Sequence, residues 1–443
     1  MPGRGLRLRA GRVPGPPRHH GDWILSEPAA LARRPPAIDR SFDRLVALAA
    51  IGIAVAYLLA STLAVLLPVE VRRGAWLPLH LALAGGATTA IAGVMPYFTC
   101  AFAAAPPSDR WLRLAAVGAV ALGALGVAFG VASDLVGLAV ACGVGFIAGI
   151  GLTGAAAIRP LGRGLGPSRG LVTQGYAIGL AEVALGASVA TLYVAGWTPL
   201  VEAWAHVKPA HAWLNLVGFV SLVIATTMLH FFPTVVGARI AMRRSARITV
   251  IGLAAGAPLV ALGFAVVSDA VARVGAISVA AGAAGLAVYA WRTCQTRAHW
   301  TTDPDWHRFA IGGLVSAIAW FEVGIAVATA RVLAFGADPA AWWVDAVTGP
   351  LIVGWIALTI VASATHLIPA VGPGNPTAHA RQRHLLGRAS TLRLAAIDVG
   401  VALLSVGLPF RLGQLTAAGI VGVAAGLAAT AVLLGAAIRI GLR

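Results

Sequence analysis

Apolar residues fill this chain in long runs broken by short polar stretches, and runs long enough to cross a bilayer occur about twelve times. The pattern predicts spans at about 42–68, 75–104, 111–131, 133–157, 170–195, 208–237, 247–267, 270–292, 307–334, 344–369, 391–408 and 413–439. Only a Gly-Val-Ala-Ser-Asp turn separates the third from the fourth, so the pattern defines those two least clearly as separate helices. The expected fold class is all-α, a polytopic integral membrane protein.

Polar residues inside the apolar runs are what need explaining. The sixth run contains HAWLNLVGFVSLVIATTMLHFFPTVVGARI, with His211 and His230 near its ends. A helix of that length separates them by about 28 Å, close to the thickness of the hydrocarbon core. At about 100° per residue, His211, Asn215, Thr226 and His230 share one stripe. The second run gives His80, Thr88, Met95 and Thr99 a similar stripe, and the tenth does so for Asp345, Thr348, Trp355, Thr359 and His366. Facing such a stripe to lipid is costly, so each is expected to face other helices.

A repeat links the three runs. HFFPTV at 230–235 matches HLIPAV at 366–371, and the same step backwards reaches VMPYFT at 94–99, its proline one place early. A weaker match aligns Glu182-Val183 with Glu322-Val323. The chain is therefore expected to contain three four-helix units, at about 41–160, 170–292 and 307–440. If the units pack about a common centre, the stripes converge there. His80 and His211, with Asp345, would form an outer cluster, and His230 and His366, with Met95, an inner one.

Composition agrees with the pattern: 59% of residues are hydrophobic and 11% charged, with mean hydropathy +0.85, which excludes an ordinary soluble enzyme. The net charge of +17 would suggest nucleic acid in a soluble chain. Here the arginines sit in short loops after even-numbered spans: Arg110 and Arg113, Arg159 to Arg169, Arg239 to Arg247, Arg292 to Arg308, and Arg381 to Arg393. Arg72 and Arg73 are the main exception. By the positive-inside rule this is a cell-membrane protein with both termini cytoplasmic, whose partner is the lipid bilayer and not nucleic acid. His80 and His211 then lie near the outer face, His230 and His366 near the inner one. Residues 1–40, rich in Arg, Pro and Gly, read as a disordered basic cytoplasmic tail in which His19 and His20 are solvated. Cys100, Cys142 and Cys294 lack CxxC spacing, so neither a disulfide framework nor a thiolate metal site is implied.

Two imidazoles facing each other inside a helix bundle suit axial ligation of haem iron, and imidazole with the thioether of Met95 suits copper. His80, His211, His230 and His366 are the candidate ligands; each is equally explicable as a neutral interhelical histidine. Glu182 and Glu322 lie well inside their spans, where an ionised carboxylate is expensive, so they are expected in a proton path or in bonding between helices. Arg331 suits haem propionates or a glutamate partner, and as a residue near a helix end it also suits snorkelling. His206 is a further candidate for the outer cluster. His299, His307, His379 and His384 read as solvated loop residues, and Trp111, Trp197, Trp204, Trp213, Trp342 and Trp343 as an aromatic belt.

The segment WLPLHLALAGGATTAIAGVMPYFTCAFAAAPP at 76–107, with the His211–Ile240 segment, resembles the membrane module preceding the copper-binding domains of actinobacterial copper-containing nitrite reductase or multicopper oxidase-like proteins. The chain as given stops at Arg443, directly after a span, so the nitrite-reducing copper centre of those proteins is not expected to carry over. More distantly, histidines on helices two, six and ten of about twelve are similar to subunit I of haem-copper oxidases and to NnrS-type proteins of the nitric oxide response. That resemblance implies a low-spin haem ligand at His80. The seventh span, ITVIGLAAGAPLVALGFAVVSD, lacks the oxidases' copper-site histidine pair, so a complete haem-copper oxygen reductase is not expected. The reading is a membrane redox module binding haem b or copper, linked to nitrogen-oxide or copper metabolism and served by an extracytoplasmic cupredoxin or cytochrome. The alternatives are a cofactor-free transporter and a membrane scaffold for a separate cupredoxin.

Overall fold

The computed structural model describes residues 41–164, 170–298 and 307–443; the tail at 1–40, with His19 and His20, and residue His299 lie outside them. Among the described residues 12 helices are long and apolar enough to cross a membrane. They are α1 Ser41–Ala64, α2 Trp76–Phe102, α3 Arg110–Ala132, α4 Val136–Arg163, α5 Leu171–Val194 and α6 Thr198–Val235. After them come α7 Arg244–Ala265, α8 Asp269–Cys294, α9 Arg308–Phe335, α10 Pro339–Val371, α11 Ser390–Gly407 and α12 Gly413–Leu442. The third and fourth spans are separate helices, turned at Asp134, whose φ of 56° is left-handed.

Burial sorts the helices into two layers. The most apolar windows of α2, α6 and α10 are 61%, 83% and 89% buried, against at most 56% elsewhere, so these three form the inner layer. Each packs against the helix before it: α1 on α2, α5 on α6 and α9 on α10. The remaining helices pair as antiparallel hairpins, α3 with α4, α7 with α8 and α11 with α12. Glycines set those hairpins. A Cβ at Gly252 would meet the backbone of Gly282, one at Gly130 the backbone of Ala139, and one at Gly400 the backbone of Val423. Close backbone approach at small residues replaces the hydrophobic drive that lipid removes.

Hydropathy gave no sign of one feature. All three inner helices widen into π-helix over part of their length, at Leu81–Ala87 in α2, Trp213–Ser221 in α6 and Thr348–Ala357 in α10. In each π segment a glycine receives a side chain from the preceding helix: Gly85 faces Tyr57, Gly218 faces Glu182 and Gly354 faces Trp320. π turns concentrate at functional sites because the wider turn opens the helix to such insertions. The residue that occupies the place of Glu182 beside the π segment of α10 is therefore Trp320 and not Glu322. Two residues further along α9 is a little over half a turn round the helix, about 200°, which puts Glu322 on the opposite face.

Two arginines assigned to cytoplasmic loops are buried instead. Arg113 is fully buried and donates to Asp43 Oδ1 at 2.6 Å and to the Gly93 carbonyl at 2.8 Å, tying α3 to α1 and α2. Arg393, 3% exposed, lies over the Phe309 ring and donates to the Arg388 carbonyl and to Thr430 Oγ1. A buried guanidinium needs its donors taken up: those of Arg393 are, and so are both terminal nitrogens of Arg113, whose Nε alone stays unbonded.

Candidate functional site

The second and sixth helices bring their outer histidines together. His80 closes the short α-helical start of α2, Trp76–His80, immediately before the π segment; His211 stands two residues before the π segment of α6. Their rings are 6.5 Å apart between centroids and inclined by 15°. His80 Nδ1 lies 2.7 Å from the Trp76 carbonyl, and His211 Nδ1 lies 2.9 Å from the Gly186 carbonyl on α5. A carbonyl only accepts, so a neutral ring bonded in this way carries its proton on Nδ1 and keeps a lone pair on Nε2; at His211 the Asn215 amide nitrogen also lies 3.2 Å from Nδ1. Fixing an imidazole through Nδ1 is how proteins orient a histidine ligand.

Aromatic rings close the site. Trp76 stacks on His80 with centroids 4.1 Å apart, and Trp204, itself stacked on Tyr193 at 3.8 Å, inclines to His211 at 6.3 Å. Asn215 donates to the His211 carbonyl at 2.6 Å and reaches into space that Gly186 leaves open. Trp204 thus belongs to the histidine site. Trp213 is fully buried against Trp342, 6.0 Å away, so Trp213 does not serve an interfacial belt. Trp76 escaped the sequence reading, although its place four residues before His80 puts the two on one helix face. Trp204 sits on the part of α6 that begins at Thr198; Glu202, His206 and Lys208 there dilute the apolar pattern, which predicted a start near 208.

The four polar residues of the α6 stripe do share a side, but it faces α5 and the neighbouring part of α2. Asn215 meets Gly186 and Thr226 meets Gly175, both on α5, while His230 lines a cavity of about 140 Å³ with Thr99, Phe102, Tyr176 and Met242. The α6 stripe therefore turns away from the centre of the molecule, whereas Met95 of the α2 stripe and Thr359 of the α10 stripe line the central cavity. α5 supplies carbonyls and glycine-lined space; the axis between α2, α6 and α10 offers mostly hydrocarbon.

The inner candidates occupy three settings. His230 stacks on Phe102 with centroids 4.3 Å apart, and its Nδ1 has no hydrogen-bond partner. His366 meets Phe231 edge-on at 5.8 Å. Met95, 2% exposed, lines the central cavity instead. Asp345 lies in the short helix Val344–Val347 at the outer start of α10, half-buried. Arg331 closes the α9–α10 loop, donating to the Ala340 carbonyl and lying over Phe335 and Trp343. Glu182 is 5% exposed with neither carboxyl oxygen hydrogen-bonded, and Glu322 is half-buried with Oε1 unbonded.

The donor set discriminates among metal groups. Two imidazoles sharing one metal, with bonds of about 2.0–2.1 Å and about 1.1 Å from each nitrogen to its ring centre, would bring their centroids to about 6.3 Å or less. The His80–His211 centroids, 6.5 Å apart, lie close to that limit. Among the described residues no three His, Cys, Asp or Glu gather as a metal site. Two imidazoles cannot complete the four ligands that a bare zinc or cupric ion takes from a protein, whereas a haem brings four nitrogens of its own. The pair therefore fits haem better than a naked ion.

No protein-family profile matches the sequence, and no curated protein does. Among solved structures, a haem-copper terminal oxidase determined as a dimer by cryo-EM matches over 90% of this chain and 84% of its own, at TM-score 0.58 and 13% sequence identity. At that identity the likeness establishes the fold: an all-α, multi-pass membrane protein with haem-copper oxidase architecture.

Proposed function

We propose that this chain is a membrane redox module that holds a haem b between His80 and His211 at its outer end, serving nitrogen-oxide or copper-linked metabolism. The observation that carries the reading is the facing pair of imidazoles, 6.5 Å apart, each with Nδ1 committed to a backbone carbonyl and Nε2 left to coordinate. A haem held so supplies one-electron transfer. The protein's part is to fix both rings, to cover them with Trp76 and Trp204, and to keep Asn215 beside His211. By the sidedness of its arginines the site opens toward an extracytoplasmic cupredoxin or cytochrome. Copper is the second candidate, as a two-coordinate cuprous ion on the same imidazoles.

The test is an optical spectrum of the detergent-purified protein, oxidised and then reduced, with metal analysis. The expected result is a Soret band that is lost in His80→Ala and in His211→Ala, while circular dichroism keeps its helical signal. Protein with neither a Soret band nor bound copper overturns the reading. Glu182 favours a different function, cofactor-free transport, because a buried carboxyl without a hydrogen-bond partner is a common mark of an ion or proton path. That reading requires a pH-dependent flux that Glu182→Gln abolishes and His80→Ala leaves intact.

A further inference from the structure

Asp398 stands at mid-membrane and half out of the bundle. It is the ninth of the 18 residues of α11, as far from both membrane faces as that helix allows. Its side chain lies in the seam between α11 and α9. There Oδ1 accepts from Ser316 Oγ at 2.5 Å and from Trp320 Nε1 at 3.0 Å. Oδ2 makes no hydrogen bond and keeps accessible surface, Asp398 being half-buried. Among the described residues no cation pairs with it.

Hydrocarbon is a poor neighbour for that oxygen. Ionised, it sets charge against lipid tails; protonated, it presents a hydroxyl with no acceptor, and either state is costly. Snorkelling offers no escape, because the middle of such a helix is about 13 Å from either end, well beyond the reach of an aspartate. The surrounding surface has the form of a helix-packing face. Leu392, Val399 and Val406, 72%, 59% and 46% exposed, recur every seven residues along α11, with Ala395 and Ala402 exposed between them. On α9, Val315 and Ala319 are exposed beside Ser316 and Trp320. A seven-residue repeat with small residues between its members lets another helix lie close alongside. Any lipid-facing helix shows apolar residues; the open carboxyl is what sets this face apart.

We infer that the seam between α9 and α11 receives a transmembrane helix of another protein, one that carries lysine or arginine at mid-membrane to pair with Asp398. A cation there relieves both costs: it neutralises the carboxylate and donates to Oδ2, while its own charge is compensated. A second copy of this chain fits less well, since a twofold axis through the seam would set Asp398 against its own equivalent. The inference does not depend on the haem reading, because none of these residues belongs to the His80–His211 site.

The probe is a synthetic leucine-rich transmembrane helix with one central lysine, offered to the complete purified protein in phosphatidylcholine nanodiscs and followed by energy transfer. It is expected to bind about tenfold tighter than the same peptide with a central leucine, the measure of one interhelical polar contact. Asp398→Asn keeps an oxygen for Ser316 and Trp320 and removes the charge, so it is expected to bind both peptides alike. Should Asp398→Asn fail to fold, Val399→Trp obstructs the seam from the lipid side and is expected to abolish the same preference. In host membranes, benzoylphenylalanine in place of Val399 is expected to crosslink to a chain with a basic residue inside its span. Equal binding of the two peptides to the unaltered protein, a lysine preference that survives in either variant, or a crosslink to lipid alone or to a second copy each overturns the inference. Failure of the haem reading would appear separately, as a missing Soret band with the lysine preference intact.

Discussion

A glutamate that fills the same slot as a tyrosine and a tryptophan is the most informative single residue in this protein. Tyr57 and Trp320 cross the glycine of the neighbouring π segment and find partners beyond it. The tyrosine hydroxyl donates to the Ala121 carbonyl at 2.7 Å, and the indole to Asp398 Oδ1 at 3.0 Å. Glu182 makes the same crossing over Gly218 and finds no hydrogen-bond partner. Because no bond is lost, Glu182→Gln is expected to change stability by less than about 1 kcal/mol. Gly218→Ala forces a methyl into the carboxyl and is expected to cost about 1–3 kcal/mol. Combining it with Glu182→Ala removes the collision, so the double variant should be more stable than the sum of the single effects predicts. Reversible unfolding in mixed micelles measures all four proteins; strict additivity would show that the two residues do not touch.

Between elements, the buried ion pair at the first turns of α1 and α3 is the sharpest test of packing. Asp43 and Arg113 have side chains 1% and 0% exposed, so the pair is desolvated and its two charges compensate each other. Arg113→Met alone removes the ion pair and the bond to the Gly93 carbonyl and is expected to cost about 3–5 kcal/mol, whereas Arg113→Met with Asp43→Leu should recover most of it. A double variant as unstable as the single one would mean that the pair contributes geometry no apolar side chains can replace. What the sequence made legible follows the same division. Hydropathy located all twelve spans, because twenty or so apolar residues leave a chain few alternatives. It could not show the π segments, since widening a turn changes hydrogen bonding and not composition. Nor could it place Arg113 and Arg393, which count as loop charges until the structure shows what they bond. The His80–His211 pairing was readable from matching positions on related helices. The direction of the stripes was not, since it depends on Gly175 and Gly186 of α5, whose role as open space has no signature in a sequence rich in glycine.

At the scale of the molecule, sidedness decides which partners can reach the histidine pair. An even number of spans puts residues 41 and 443 on one side of the membrane. The loops on that side carry Arg159, Arg163, Arg239, Arg243, Arg297, Arg381, Arg383 and Arg388; those opposite carry few, chiefly Arg72, Arg73 and Arg411. Translocating each arginine is costly, so we propose from the positive-inside rule that the first group lies in the cytoplasm. Removing Arg113 and Arg393 from the count, because they are buried, leaves the asymmetry intact. On that proposal Trp197, 52% exposed at the start of α6, would face outward, and Thr377, exposed on the short helix Pro376–Gly387, would face inward. In a background with Cys100, Cys142 and Cys294 replaced, a membrane-impermeant maleimide applied to intact cells is expected to label Trp197→Cys, and Thr377→Cys only after lysis. The reverse pattern would turn the His80–His211 end toward the cytoplasm and exclude an extracytoplasmic electron partner. It would also move His230, with its unbonded Nδ1, to the outer face, making the His230 cavity the site that such a partner could reach.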